Sequence, residues 1–215
     1  FNPRSVYHVA YGAQWSNHST ILRGVDRPVV HLPKGYSGGK VEVTVDAPVP
    51  ALWTFTCDGD LDTGGKGRLT GSPEHKWYFE SDGPAETGTF RSVWWEPTKD
   101  SRHVLWTGKN NIDAIDQVDS DIERLVDAAR DPQRDVIVLG QWVTKNDLGK
   151  PRIVENVHAL NAIHAERYGR RFIDVQAILT SETALSAEPL WELDLVRKSE
   201  TARCLLYTSP SPRDR

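Results

Sequence analysis

The segment Val104-Leu105-Trp106-Thr107 runs straight into Gly108-Lys109-Asn110-Asn111, so an apolar, strand-like stretch stops at a glycine and two side-chain amides. A loop of this kind, at the C-terminal end of a strand in an α/β sheet, is a usual place for binding and catalytic groups. An amide there can donate to an oxygen that gains negative charge during a reaction, which makes Asn110 the first candidate. Asn111 suits a turn or helix cap better.

Other chemistry-bearing residues are weaker candidates. Ser16, His18 and Ser19 lie close in sequence, but a nucleophile and its base are defined by geometry rather than adjacency, and Ser16 suits a helix cap. His158 and His164 are six apart on one predicted helix, a spacing that does not put two metal ligands on one face; both read as surface or boundary residues. Asp58, Asp60 and Asp62 alternate beside glycines as in a calcium loop, yet position 65, where the bidentate Glu belongs, is Gly. They read as a solvated turn. Trp53, Trp77, Trp94 and Trp95 could stack on sugar rings or simply fill a small β core. No metal or cofactor site is expected.

The chain has 215 residues, a net charge of −4 and scattered Lys and Arg. With a pI near 6.0 and no basic stripe, nucleic acid and anionic membrane surfaces are not expected partners. The longest apolar runs, such as Val136 to Leu139, fall far short of the roughly 18 residues needed for a membrane span, so the expectation is a soluble globular protein. Met is absent and the chain begins at Phe1, which suggests a true start further upstream. The last residues, 204–215, resemble the conceptual translation of a sequencing-library adapter and are left out of fold reasoning. Cys204 goes with them, and Cys57 alone does not fix a redox compartment.

The elements that must position Asn110 fall into two kinds. Ser5 to Tyr11 is β-branched and aromatic and reads as a strand ending at Gly12; Ser16 to Gly24 reads as a short helix. Residues 26–101 change character, with alternating stretches at Lys40–Val45 and Ala51–Thr56 and turn clusters at Cys57–Asp60 and Gly64–Gly67. They read as an inserted antiparallel β module. Beyond it come a strand over 102–107, an amphipathic helix over 115–129, a strand over 135–140, a helix over 153–168 and a strand over 171–175. That alternation predicts a parallel sheet covered by helices.

Three stretches together resemble the SGNH (GDSL-like) hydrolase family, in particular phage and actinobacterial members with a β insertion. They are Tyr11-Gly12 with Ser19 to Gly24, the loop Trp106 to Asn111, and residues 160–175. The resemblance implies a three-layer α/β fold with a flavodoxin-like parallel sheet whose first strand is missing here. It is divided into a discontinuous core, 1–25 with 102–203, and the inserted module, 26–101. It also implies a serine esterase that forms an acyl-enzyme, with Gly12 as backbone donor and Asn110 as amide donor of the oxyanion hole. Small-molecule or carbohydrate esters, including O-acetyl groups, are the implied substrates, and no cofactor is implied.

The sequence departs from that pattern at two places. The family's nucleophile sits in a Gly-Asp-Ser-type motif ahead of the strand that ends at Gly12, and no such motif occurs here. The family's base lies near the C-terminus in an Asp-x-x-His pattern, whereas Asp194-Leu195-Val196-Arg197 carries Arg at that place. The polypeptide as written is therefore expected to be inactive. From a different class, a non-catalytic phage tail or carbohydrate-binding module, with the β insert as its working part, fits the same composition.

Overall fold

The computed structural model describes Val9, residues 13–144, Asp147 and residues 149–179. Gly12, the Ser5–Tyr11 segment apart from Val9, and the C-terminal tail lie outside the described residues. The chain divides into two compact units: one runs to His103 and resumes over Asp116–Val136, and the other takes Val104–Ile115 and continues from Ile137.

The first unit is built on six strands, β1 (Val29–His31), β2 (Gly39–Asp46), β3 (Thr56–Leu61), β4 (Lys66–Gly71), β5 (Trp77–Ser81) and β6 (Gly88–Ser92). Each strand pairs antiparallel with its neighbours, and the order β1-β2-β5-β4-β3-β6 closes on itself as a barrel. Closure removes the unpaired strand edges that an open sheet would leave. Alternation along the strands sends Val30, Val43, Cys57, Leu69, Phe79 and Phe90 inward, all buried. Burial also pushes the Cys57 thiol up to about 11.

Two local expectations change here. Residues 57–60, expected as a turn, are the middle of β3, and the expected strand over 51–56 begins only at Thr56. Gly59 is required for a packing reason: a Cβ there would lie 2.3 Å from the Phe90 ring, so the glycine makes room for an inward aromatic rather than for a bend. Asp58 and Asp60 consequently stand on a strand, where Asp58 pairs with Arg68 at 2.6 Å. Asp62, just after β3, accepts the Thr89 N–H.

Two longer helices also belong to this unit. Helix α1 (Ser16–Arg23) ends at Gly24, whose φ of 78° closes it in the left-handed conformation. Helix α3 (Ile115–Asp127) buries Val118, Ile122, Leu125 and Val126, the stripe its 3.6-residue period predicts. Ser16 Oγ donates to the fully buried Asp121 at 2.7 Å, and Arg124 pairs with Asp26. The short helix α2 (Trp95–Thr98) lies between α1 and α3 in sequence, and the short helix α4 (Pro132–Asp135) follows α3.

The parallel sheet is small. Strands β7 (His103–Leu105), β8 (Val136–Leu139) and β9 (Phe172–Ile173) form a three-stranded sheet in that order, with β8 and β9 parallel through Val138 opposite Phe172. Helix α5 (Pro151–Tyr168) packs on β9, and α6 (Val175–Leu179) follows it. The expected three-layer α/β sheet is therefore corrected: the dominant β structure is the closed antiparallel barrel, and the parallel strands make only a three-stranded sheet. The physical reason is that the strands of residues 29–92 alternate inward and outward side chains and pair with one another around their own core. Among the described residues, only β7, β8 and β9 are left for the parallel sheet.

Candidate functional site

The loop that follows β7 is the best-organised polar region of the second unit. Gly108 is buried with a φ of 100°, a conformation that glycine adopts without steric cost. It turns the chain into a single 3-10 turn, Lys109–Asn111. Asn110 is exposed on that turn and Asn111 is buried. Ala114 N–H donates to Asn111 O at 2.9 Å, which closes the turn before α3 begins.

Side chains distant in sequence fix this loop in place. Gln141 is 1% exposed, and its Nε2 donates to Thr107 O at 2.6 Å, gripping the backbone one residue ahead of Gly108. Gln141 is itself held on both backbone groups by Asn161 of α5: its N–H donates to Asn161 Oδ1 at 2.8 Å, and Asn161 Nδ2 donates back to Gln141 O at 2.8 Å. A side-chain amide thereby replaces the neighbouring strand that Gln141 lacks. On the other side of the turn, Asn156 Nδ2 donates to Ile112 O at 3.0 Å.

A charged pair flanks the turn. Lys109 Nζ lies 2.8 Å from Asp147 Oδ2, with both side chains mostly buried. The same oxygen accepts the Thr144 N–H at 2.7 Å and the Thr144 hydroxyl at 2.6 Å. Burial pushes the Asp147 carboxyl up, but the donors from Lys109 and Thr144 outweigh it and hold the group below its usual range. The Lys109 ammonium is thus occupied in holding the loop.

Beside the loop stand two tryptophans. Trp106, 47% exposed, packs its ring against Trp142 with centroids 4.6 Å apart and planes tilted by 47°. Gln141 Oε1 and Trp142 Nε1 are buried with no hydrogen-bond partner among the described residues.

The remaining sequence candidates are placed elsewhere. Ser16 does not cap α1; Trp15 holds the cap position, and the serine hydroxyl serves Asp121. His18 is fully buried. Its Nδ1 accepts the Trp15 N–H and its Nε2 contacts Pro50 O at 2.9 Å, a division of roles that fixes the neutral tautomer. Desolvation lowers its basicity further. Neither residue activates the other. His164, expected at the surface or its boundary, is buried against Tyr168 and Phe172, while His158 is exposed.

Three of the four tryptophans of residues 26–101 have distinct surroundings. Trp77 is buried in the barrel core beside Phe55, Trp95 lies under Arg23 and Arg27, and Trp53 is exposed. Among the described residues there is no group of three or more His, Cys, Asp or Glu placed to hold a metal ion. None of their helices is long and apolar enough to cross a membrane.

Sequence reasoning missed an Asp-x-x-His spacing at Asp100–His103. Its ring is committed, because His103 Nε2 lies 3.1 Å from Arg23 Nη2. Burial and that guanidinium hold the imidazole down to about 4. A cleft of about 390 Å³ in the same unit is lined by Asp100, Arg102, Arg130, Arg134 and Asp135. Its charges largely answer one another, since Arg134 grips the buried Asp135 through two bonds of 2.9 and 2.8 Å and Arg102 lies 3.7 Å from it.

Gln141, Asn161 and Asp147 escaped the sequence as well; one available signal was the run Gly140-Gln141-Trp142 directly after a buried strand. Compared with known proteins, the chain matches no family model, no curated protein and no solved structure.

Proposed function

We propose that the Thr107–Asn111 loop is the oxyanion-donor part of an ester-hydrolysing site, in which a serine forms an acyl-enzyme and Asn110 stabilises the tetrahedral intermediate. The observation that carries this proposal is the placing of Asn110 on an exposed position of a turn whose entry is clamped by Gln141. A donor of this kind helps a reaction only if it is already aimed before charge develops, because reorienting a loose amide would cost what the hydrogen bond gains. The Gln141–Asn161 clasp and the Lys109–Asp147 pair supply that rigidity.

Gly12, outside the described residues, would provide the backbone donor, as the family resemblance implies. Substrates would be acyl groups on small-molecule or carbohydrate alcohols. No Gly-Asp-Ser motif occurs in these 215 residues, so residues 1–215 alone are expected to turn over esters at the background rate.

The test is p-nitrophenyl acetate turnover, with fluorophosphonate labelling of serine, on residues 1–215 alone and on a chain that carries them together with a Gly-Asp-Ser segment. The chain with that segment should be active and labelled at its serine, and residues 1–215 alone should be neither. An inert chain with that segment overturns the proposal. Turnover by residues 1–215, with one labelled serine, would move the nucleophile into this chain.

A further inference from the structure

We infer that the cleft between residues 100–102 and 130–135 is a binding site for a phosphate group, held by the guanidinium groups of Arg102 and Arg130. The cleft belongs to the first unit, shares no residue with the Asn110 loop and is unrelated to the ester chemistry proposed for that loop. Every side chain that lines it is ionisable, and at about 390 Å³ it lies within the roughly 300–1,000 Å³ of small-molecule sites.

Guanidinium donors are in excess there. Arg134 takes both oxygens of the buried Asp135, at 2.9 and 2.8 Å, and lies 3.9 Å from Asp131. Arg102 is left 3.7 Å from a carboxylate whose two oxygens are already bonded, too far for a hydrogen bond. Arg130 is exposed and makes no hydrogen bond or close ion pair among the described residues. The bonds from Arg134, with the charges of Arg102 and Arg130 behind them, hold the Asp135 carboxyl below its usual range, so it stays ionised and keeps Arg134.

A fourth guanidinium spans the segment that carries Asp100 and Arg102. Arg23, 7% exposed, donates from Nη2 to Thr98 O at 3.0 Å and lies 3.1 Å from His103 Nε2. Its Nη1 has no hydrogen-bond partner, and no carboxylate pairs with it, among the described residues. Four guanidinium groups therefore stand against the three carboxylates of Asp100, Asp131 and Asp135, while His103, held down to about 4, is uncharged at neutral pH. The local balance is positive, and a buried cation without a carboxylate gains from an anion brought close to it.

The shape of the donors narrows the anion. A carboxylate has two oxygens and is used up by one guanidinium fork, as Asp135 is by Arg134. A tetrahedral phosphate offers at least one more acceptor and can serve two forks that approach from two segments of chain. Asp100 is the lining carboxylate that no arginine neutralises among the described residues, so it alone works against the anion.

The experiment is calorimetric titration of residues 1–215, at fixed ionic strength, with inorganic phosphate, phenyl phosphate and acetate. Both phosphates should bind saturably and acetate should not. Tighter binding of phenyl phosphate assigns the rest of the cleft to an organic part of the ligand; equal binding assigns the site to free phosphate, and either supports the inference. Arg130→Gln and Arg102→Gln should each weaken phosphate binding roughly tenfold or more, and Asp100→Asn should tighten it. Arg68→Gln, on the barrel surface, should leave it unchanged. Circular dichroism checks that each variant is folded. No saturable binding of either phosphate, acetate binding as tight as phosphate, or equal weakening by Arg68→Gln and Arg130→Gln overturns the inference.

Discussion

The barrel and the three-stranded sheet solve the same problem by different means. In the barrel, backbone groups are satisfied by strand pairing all the way round, and the interior is filled by Phe79, Phe90, Leu69 and Val30, each 0% exposed. In the sheet the strands have only three, four and two residues. There, side-chain amides take over: Asn161 completes the backbone bonding of Gln141, and Gln141 holds Thr107. Both units bury apolar side chains, Val138, Val157 and Leu160 in the second among them, and the contrast lies in how backbone groups are satisfied: by strand pairing in the barrel and by a few polar clasps beside the short sheet. A polar clasp stabilises less but fixes orientation more sharply, which is what a donor loop needs.

Substitutions should separate the two strategies. The largest effect is expected from Phe79→Ala, which empties part of the barrel and should cost about 3–5 kcal/mol in urea unfolding. Asn161→Leu keeps the volume but strands the Gln141 N–H and C=O, and should cost about 1–3 kcal/mol. Unlike Phe79→Ala, it should also speed amide hydrogen exchange over residues 107–111. Equal exchange in both variants would show that the clasp does not govern the loop.

Two desolvated imidazoles, the buried His18 and the half-buried His103, give the first unit a pH dependence. His103 is held down to about 4, and His18 is lowered as well, both chiefly by burial. Below the unfolded value of about 6.5 the unfolded chain takes up protons that the folded chain refuses, so stability should fall as pH drops from 6.5 towards 4. Melting temperature followed across that window should show the decline, and His103→Phe should flatten part of it. The smallest effect belongs to Arg68→Ala. It removes the exposed pair with Asp58 and should change stability by less than about 1 kcal/mol.

Local periodicity made some elements readable. The stripe Val118, Ile122, Leu125 and Val126 announced α3, Gly24 announced the end of α1, and alternation over Lys40–Val45 announced β2. Closure of the barrel was not readable, because it depends on β1 meeting β6 and β2 meeting β5 across long stretches of chain. Gly59 misled for a related reason: its cause is the Phe90 ring, 31 positions away. The candidate site divided in the same way. Asn110 stood out because a strand, a glycine and an amide follow one another directly. Gln141 and Asn161 did not, since they are 20 residues apart and each is an ordinary polar residue until the fold brings them together.

The most direct test of the proposed donor role measures Asn110→Ala, in a chain that carries residues 1–215 together with a Gly-Asp-Ser segment, by two readouts together, p-nitrophenyl acetate kcat and the urea unfolding midpoint. The prediction is a loss of roughly a hundred- to a thousandfold in kcat, corresponding to about 2.7–4 kcal/mol in the barrier. Because the side chain is exposed, stability should stay within about 0.5 kcal/mol. Unchanged turnover, or a loss of turnover that merely follows a loss of stability, would contradict it.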